Sequence, residues 1–195
     1  AMDAVSTSQT AMDAVSTSAT GMEAVAASQL AMDAVVAATE VALPTVVETE
    51  TAMNEVSLSD LALDTLWAST AAWDLIKANA MAVGKFAAGR AGLSGYDYAD
   101  IDAVATSQTA MDAVSTSQTA MDAVSTSDLA LDSIWDSSLA WDTVKAKAMA
   151  VGKFVAGRAG LDGANFADID AVASDQSAMD AVAASILART AALSS

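Results

Sequence analysis

The chain contains neither cysteine nor histidine among its 195 residues. The missing cysteine excludes disulfide bonds and thiolate metal sites. The missing histidine removes the commonest metal ligand and the usual general base, and it excludes a Ser-His-Asp triad. No apolar run approaches the ~20 residues that a membrane-spanning helix needs. We therefore expect no membrane insertion, no cofactor and no enzymatic activity.

Basic residues are also scarce, with 8 Lys and Arg against 25 Asp and Glu and a formal net charge of -17. None precedes Lys77, and all except Arg189 lie in the two modules defined below. So acidic a chain disfavours nucleic acid and anionic membrane surfaces as partners. The apolar fraction of 54% is nevertheless far too high for a disordered chain.

What the chain has instead is a ten-residue unit, which we call the decad. It reads Ala-Met-Asp-Ala-Val-Ser-Thr-Ser-Gln-Thr from Ala1 and restarts at Ala11. A core residue such as Met12 is followed three positions later by a second apolar residue such as Val15. Fixed-period self-similarity is typical of arrays whose units bury their apolar faces only against neighbouring units.

A longer duplication overlies the decads. Residues 60–104 return at 128–172 with an offset of 68 residues, and eight of the nine glycines occupy matched positions in the two copies. The two repeats divide the chain into five segments. Decads occupy 1–57, with a break at Pro44, and a glycine-punctuated helical module occupies 58–104. Decads return at 105–125, a second copy of the module follows at 126–172, and a terminal decad with a C-terminal helix ends the sequence at 173–195.

Short helices suit a period of ten residues best. In one continuous helix the apolar stripe would shift by about 80° in every decad, so it could not face one partner for long. A strand would point Met12 and Val15 to opposite faces, whereas a helix places both on one face with Ser8 as its N-cap. We predict an all-α repeat array, solenoid-like or fibrous. A β-solenoid is the alternative because the Ser-Thr stretches could be extended.

Two segments should depart from the plain decad. Apolar residues run almost unbroken over 70–88 until Gly89, Gly92 and Gly95 supply stop signals, which predicts longer helices in the modules. Between the core residues at 32 and 53 the spacing is one residue more than two decads, and Val46 and Val47 suit extended chain beside Pro44. There we expect a kink, an inserted strand or a change of packing partner.

An acid follows the core residue in most decads, which leaves two interpretations. The carboxylates could form a ladder that binds Ca²⁺ or Mg²⁺ between stacked units, or they could form a solvated rim, which we favour. Asp100 and Asp102, with their relatives Asp168 and Asp170, are the candidate cation ligands where the modules end. Capping of the next helix is the favoured role for these residues.

Aromatic residues and lysines of the modules are the other candidates. Four tryptophans could form a platform for sugars, but they replace core residues of the decads, which favours core packing: Trp67, Trp73, Trp135 and Trp141. Tyr96 and Tyr98 differ from their counterparts Ala164 and Phe166, so they are the candidates for a surface contact. Two lysines that follow a glycine lack the phosphate-loop pattern, and we expect them to pair with aspartate or point to solvent: Lys85 and Lys153.

The decads resemble repeats of phage and prophage tail-fibre-like proteins, which often read Ser-x-Thr-Ala-Met-x-Ala-Val-x-x-Ser. Residues 8–18, 107–117 and 117–127 carry the resemblance, which covers about two thirds of the chain. It implies a virion fibre or extracellular appendage, often homotrimeric, that reaches for a host surface. It implies no catalytic residue, and the modules and the Pro44 segment depart from the simple repeat.

These observations predict a structural, self-associating segment of a viral tail fibre or similar appendage, with a homotrimer or virion neighbours as partners. The alternative is an adhesin module that recognises a host surface glycan or protein through Tyr96, Tyr98 and the tryptophans. A cation-dependent array is the third hypothesis.

The third hypothesis yields the first prediction. A carboxylate rim needs no cation, so we expect the melting temperature of the chain to be the same with and without excess EDTA, measured by circular dichroism. A fall in melting temperature that CaCl₂ or MgCl₂ reverses would instead establish the metal ladder.

Overall fold

The computed structural model describes residues 2–194, without the side chain of Asp3, so the first carboxylate of the proposed ladder lies outside the described side chains. This part of the chain forms 18 α-helices and two short 3-10 helices, with no β-strand among the described residues. The all-α prediction is therefore confirmed, and the β-solenoid alternative is not supported.

The helices are short and follow one another with breaks of one to four residues, except for the ten residues that follow α9 and the ten that follow α15. Their bounds are α1 Met2–Ser6, α2 Gln9–Ser16, α3 Ala19–Ala26, α4 Gln29–Ala37, α5 Ala42–Glu48, α6 Glu50–Ser57, α7 Asp60–Ala68, α8 Thr70–Lys77, α9 Ala80–Arg90, α10 Ile101–Thr106, α11 Gln108–Val114, α12 Gln118–Ser125, α13 Asp128–Asp136, α14 Ser138–Lys145, α15 Ala148–Arg158, α16 Ile169–Ser174, α17 Gln176–Ala184 and α18 Ile186–Ser194. The 3-10 helices are Gly95–Asp97 and Gly163–Asn165.

Three consecutive helices make one layer, and except where the modules shift the stacking each helix packs on the helix three places further along the chain. Helices α1, α2 and α3 pack on α4, α5 and α6, and the column α3–α6–α9–α12–α15–α18 runs through all six layers. The chain is thus a solenoid of short helices. Isolated helices of this length are unstable in water, so contacts between layers must hold them in place.

The apolar positions of the decad supply those contacts. Met12, Met22 and Met32 are completely buried, and the second apolar residue of a decad, as in Val25 and Val35, is buried with them. Residues three apart share a helix face, so each helix presents one apolar side to the interior. A single chain therefore buries its own decads.

Serines between the helices form hydrogen bonds in two directions. The Ser59 Oγ accepts from the Ala62 N–H, which caps α7, and donates to the carbonyl of Ala26 at 2.6 Å, which ends α3 in a neighbouring layer. The same double contact recurs at four further serines: Ser117, Ser127, Ser137 and Ser185. One hydroxyl thus satisfies an orphan amide of its own helix and an orphan carbonyl of another.

The segment around Pro44 is helical, so the expectation of extended chain there is wrong. Pro44 lies in the first turn of α5, where the missing N–H costs no intrahelical hydrogen bond, and Val46 and Val47 are buried core residues. The extra residue of this segment is accommodated between α4 and α5, where residues 38–41 form a wider turn.

The long helix predicted over 70–88 is divided in two. Asn79 accepts from the Ala82 N–H and starts a new helix, so only α9 and its copy α15 reach 11 residues. Helix α9 ends in a Schellman motif, in which Gly92 at φ +76° turns the chain and the Leu93 N–H reaches the Ala88 carbonyl at 2.9 Å. Gly92 thus acts as the predicted stop signal, whereas Gly89 lies inside α9.

After the long helix of each module, the next helix packs on the long helix itself and not on the helix three places earlier. Helix α10 packs closely against α9, where a Cβ on Gly84 would lie 2.3 Å from the Asp100 carbonyl carbon. Helix α10 therefore contacts α9 and α13, and α8 contacts α13. The modules interrupt two of the three columns and leave the third continuous.

No single helix among residues 2–194 is long and apolar enough to cross a membrane. Helices α4 and α5 reach that length and composition only as a pair, and they are bent by 103° at the break between them.

The double role of the serines yields the second prediction. Ser59→Ala removes both a cap and the hydrogen bond to Ala26, so it should lower the free energy of unfolding by about 2–3 kcal/mol. The matched control is Ser18→Ala, which removes a cap whose Oγ accepts from the Gly21 N–H and should cost about 1 kcal/mol. Urea denaturation followed by circular dichroism measures both losses. Equal losses would contradict a stabilising contact between layers.

Candidate functional site

Each module encloses a lysine. Lys85 and Lys153 are both 0% exposed, so the expectation that they could point to solvent is wrong. The Lys85 Nζ donates to Asn54 Oδ1 at 2.7 Å and to the carbonyls of Gly95 and Tyr98, each at 2.9 Å. The lysine therefore ties the loop after α9 to the layer before it.

Beside Lys153 an aspartate, Asp122, takes the position that Asn54 has beside Lys85. The Lys153 Nζ donates to the Asp122 carboxylate and to the Gly163 carbonyl at 3.0 Å. At Lys85 the carboxylate of Glu50 lies 3.4 Å from the ammonium and is mostly exposed. The pairing with aspartate expected from the sequence is thus present in the second module alone.

The tryptophans pack against a phenylalanine of the long helix. The Trp67 and Trp73 ring centroids lie 4.6 Å apart, and they lie 6.1 and 5.2 Å from the Phe86 ring. The Arg90 guanidinium lies 5.2 Å from the Phe86 centroid and pairs with Asp64 at 2.6 Å. The second module repeats the cluster with Trp135, Trp141, Phe154, Arg158 and Asp132.

The two candidate tyrosines lie in different environments. Tyr96 is 51% exposed, and its phenol donates a hydrogen bond to the Glu55 carboxylate. That hydrogen bond raises the pKa of Tyr96 above its ordinary value, and burial and nearby carboxylate charge act in the same direction. Tyr98 is half-buried against the core, and its carbonyl accepts from Lys85. Tyr96 is thus the more exposed of the two rings.

The four candidate cation ligands do not form one site. Asp100 and Asp168 each accept from a backbone N–H three residues on, at 2.9 Å, and so cap α10 and α16. Asp102 accepts from the hydroxyl of Ser133, and Asp170 lies exposed in the first turn of α16. Asp100 and Asp168 therefore have the capping role that the sequence favoured.

The carboxylates of the decads face glutamines. Gln108 and Gln176 each donate to an aspartate four residues on, at 3.0 and 2.9 Å, and Gln108 also reaches Thr143 in the next layer at 3.3 Å. Across residues 2–194, apart from the undescribed side chain of Asp3, no three carboxylates converge in a way that could hold a metal ion.

Ser133 and Asp102 also line a depression of about 360 Å³ beside α13 and α14. The Asp102 carboxylate accepts the hydroxyl hydrogen of Ser133, which links α10 to α13 at this depression.

A second depression lies between the two modules, and we call it the intermodule groove. Its volume is about 380 Å³. Helices α7 and α8 form one wall, the junction of α12 and α13 forms another, and the end of α15 with the loop after it forms the third. Its lining residues are Trp67, Thr70, Trp73, Asp74, Lys77, Ser125, Thr126, Asp128, Gly157, Gly160, Leu161 and Asp162.

The groove joins residues that are far apart in the chain. Its walls come from 67–77 and 125–162, which meet because the modules shift the stacking and place α8 beside α13. The sequence pointed to the tryptophans as a possible sugar platform, but nothing in it predicted which residues face them. The only sequence feature that pointed toward the groove was the duplication, which shows that the chain contains two modules that could lie against each other.

Comparison of the chain with family models, with curated proteins and with solved structures found no match.

The two buried lysines yield the third prediction, a pair of opposite effects. Asn54→Asp gives the Lys85 ammonium an anionic partner and should raise the free energy of unfolding by about 1 kcal/mol, because hydrogen bonds to charged groups contribute about 1.5–3 kcal/mol against about 0.5–1.5 for neutral ones. The reciprocal change, Asp122→Asn beside Lys153, should lower it by about 1 kcal/mol or more. Urea denaturation measures both, and shifts of the same sign would refute the pairing argument.

Proposed function

We propose that this chain is a structural, self-associating repeat segment of an extended appendage, of the phage tail-fibre kind that its decads resemble. The supporting observation is the column α3–α6–α9–α12–α15–α18, in which every third helix packs on the one before it through all six layers. Repetition of a single interface adds length without requiring a new core. The role is mechanical, and the appendage is a virion fibre or another extracellular structure.

The manner of self-association follows from the burial of the decads. The methionine cores are covered within one chain, so copies need not exchange helices to bury them. The layer α16–α18 differs, because Met179 is 40% exposed whereas Met111, its counterpart 68 residues earlier, is 0% exposed beneath α14. Leu193 in the same layer is 89% exposed. An apolar layer of this kind is a surface on which a second copy can stack.

The polar contacts point to the same surface. Gln108 donates both to its own aspartate and to Thr143 of the covering layer, while Gln176, in the matched position, donates to Asp180. Contact between the end of one copy and the start of the next is heterologous, and such contacts generate filaments when they do not close into a ring. A homotrimer, expected from the family resemblance, would instead need side-by-side contacts.

The adhesin role remains the second candidate function. The observation that favours it is the intermodule groove, which places Trp67 beside polar side chains. Tyr96, the more exposed of the two candidate tyrosines, lies outside the residues that line this groove.

The fourth prediction concerns the mass of the chain in solution. Multi-angle light scattering should give masses above the 19.5 kDa of one chain, increasing with protein concentration. Met179→Glu should reduce this association by at least about tenfold in Kd, because it places a charge in an apolar contact. The matched control is Leu30→Glu, which changes an exposed leucine of α4 and should leave the mass unchanged. A monomer at every concentration would contradict the proposal.

A further inference from the structure

We propose that the intermodule groove binds a neutral saccharide of one or two sugar units. The groove lies within one chain, so this inference does not depend on self-association. Its volume of about 380 Å³ falls within the range of about 300–1,000 Å³ that is usual for small-molecule sites.

Trp67 supplies the apolar surface. Its ring lies 6.1 Å from that of Phe86 at an interplanar angle of 26°, so packing fixes its orientation. The side chain is half-buried, and it borders both the groove and an adjoining recess of about 120 Å³. The exposed part of the indole therefore stands between two depressions, where the C–H face of a sugar ring can pack against it.

Trp73 holds two walls of the groove together. It is almost buried, and its indole N–H donates to the hydroxyl of Thr126 at 3.1 Å, which links α8 to the α12–α13 junction. The Ser127 hydroxyl makes a second link, to the Lys77 carbonyl at 2.8 Å. Two hydrogen bonds thus hold these walls at a fixed separation, and a preformed site spares a ligand the cost of ordering it.

The third wall is fixed by backbone contact. A Cβ on Gly157 would lie 2.3 Å from the Ser125 carbonyl oxygen, so the end of α15 rests directly on the end of α12. Gly160, at φ +76°, then turns the loop along the groove. A larger residue at Gly157 would force this wall away.

The polar lining suits a polyhydroxylated ligand. Sugar hydroxyls donate and accept hydrogen bonds, so their site needs both kinds of partner. Carboxylates of Asp128 and Asp162 accept, the Lys77 ammonium donates, and the Thr70 hydroxyl can do either. Lys77 pairs with Asp74 at 2.6 Å, which offsets one of the three acidic charges. A site for a cation would use acceptors alone, and the lysine argues against that occupant.

The second module provides an internal control. It repeats the tryptophan cluster and the ion pair as Trp135, Trp141 and Lys145 with Asp142 at 2.6 Å. The second cluster has the same packing, but its tryptophan rings do not line the intermodule groove.

The fifth prediction tests binding in the full chain. We would titrate it with maltose, cellobiose, lactose and N,N′-diacetylchitobiose, using isothermal titration calorimetry and saturation-transfer NMR. At least one disaccharide should bind saturably, with Kd of about 1 mM or tighter, equivalent to about −4 kcal/mol. Trp67→Ala should weaken this binding at least about tenfold, while Trp135→Ala, which removes the matching ring from the second module, should leave it unchanged.

A second matched pair guards against misfolding of the tryptophan variants. Asp128 and Asp60 each occupy the first position of a serine-capped helix, and Asp128 alone lines the groove. Asp128→Asn should weaken saccharide binding and Asp60→Asn should not, with circular dichroism spectra of both variants unchanged.

Three results would overturn the inference. One is that none of the four disaccharides binds the unaltered chain. Another is that Trp135→Ala weakens binding as much as Trp67→Ala, which would place the ligand elsewhere. The last is that tetramethylammonium chloride binds while the sugars do not, which would make the groove a cation site. The mass measurement leaves each of these outcomes unaffected, so the two proposals can fail separately.

Discussion

An α-helix leaves its first four amides and last four carbonyls without intrahelical partners, and in a helix of eight residues that is half of the backbone polar groups. A chain built from such helices depends on contacts that satisfy these groups. The serine between two helices satisfies groups of both kinds. At Ser59, for example, the hydroxyl accepts from a backbone N–H of the helix that follows and donates to a carbonyl at the end of a helix in a neighbouring layer. The decad thus combines an apolar pair for the core with a hydroxyl for the ends.

The modules depart from this regular arrangement because they place a charged side chain in the interior of the array, where the described decads have none. Lys85 lies in the interior of the array and exposes no surface, so its three strong donors must all find partners. Asn54 and the carbonyls of Gly95 and Tyr98 supply them, and the loop after α9 is held in place as a result. That loop directs the chain into α10 beside α9. The shift in stacking that follows is what brings α8 next to α13 and opens the groove between them.

The sequence predicted those parts of the fold that depend on nearby residues. Serine before an apolar pair predicted short capped helices, and the glycines after Ala88 predicted the end of α9. Expectations failed where the outcome depends on partners distant in the chain. Val46 and Val47 have strand preferences, yet they are helical because their burial in the layer outweighs propensity. Lys85 resembled a surface lysine because its acceptors lie 10 to 31 residues away. The groove has walls from 67–77 and 125–162, a pairing that no local pattern encodes.

Length and binding are linked by this geometry. The first module contributes the tryptophan wall of the groove, and the second contributes the glycine wall, so one groove requires two modules. Each further module placed 68 residues on would complete the groove of the module before it. An array would then carry one groove fewer than it has modules, at regular spacing along a stiff axis. Weak saccharide contacts repeated in this way gain avidity without any stronger single site, so the mechanical and adhesive roles would be served by the same repeat.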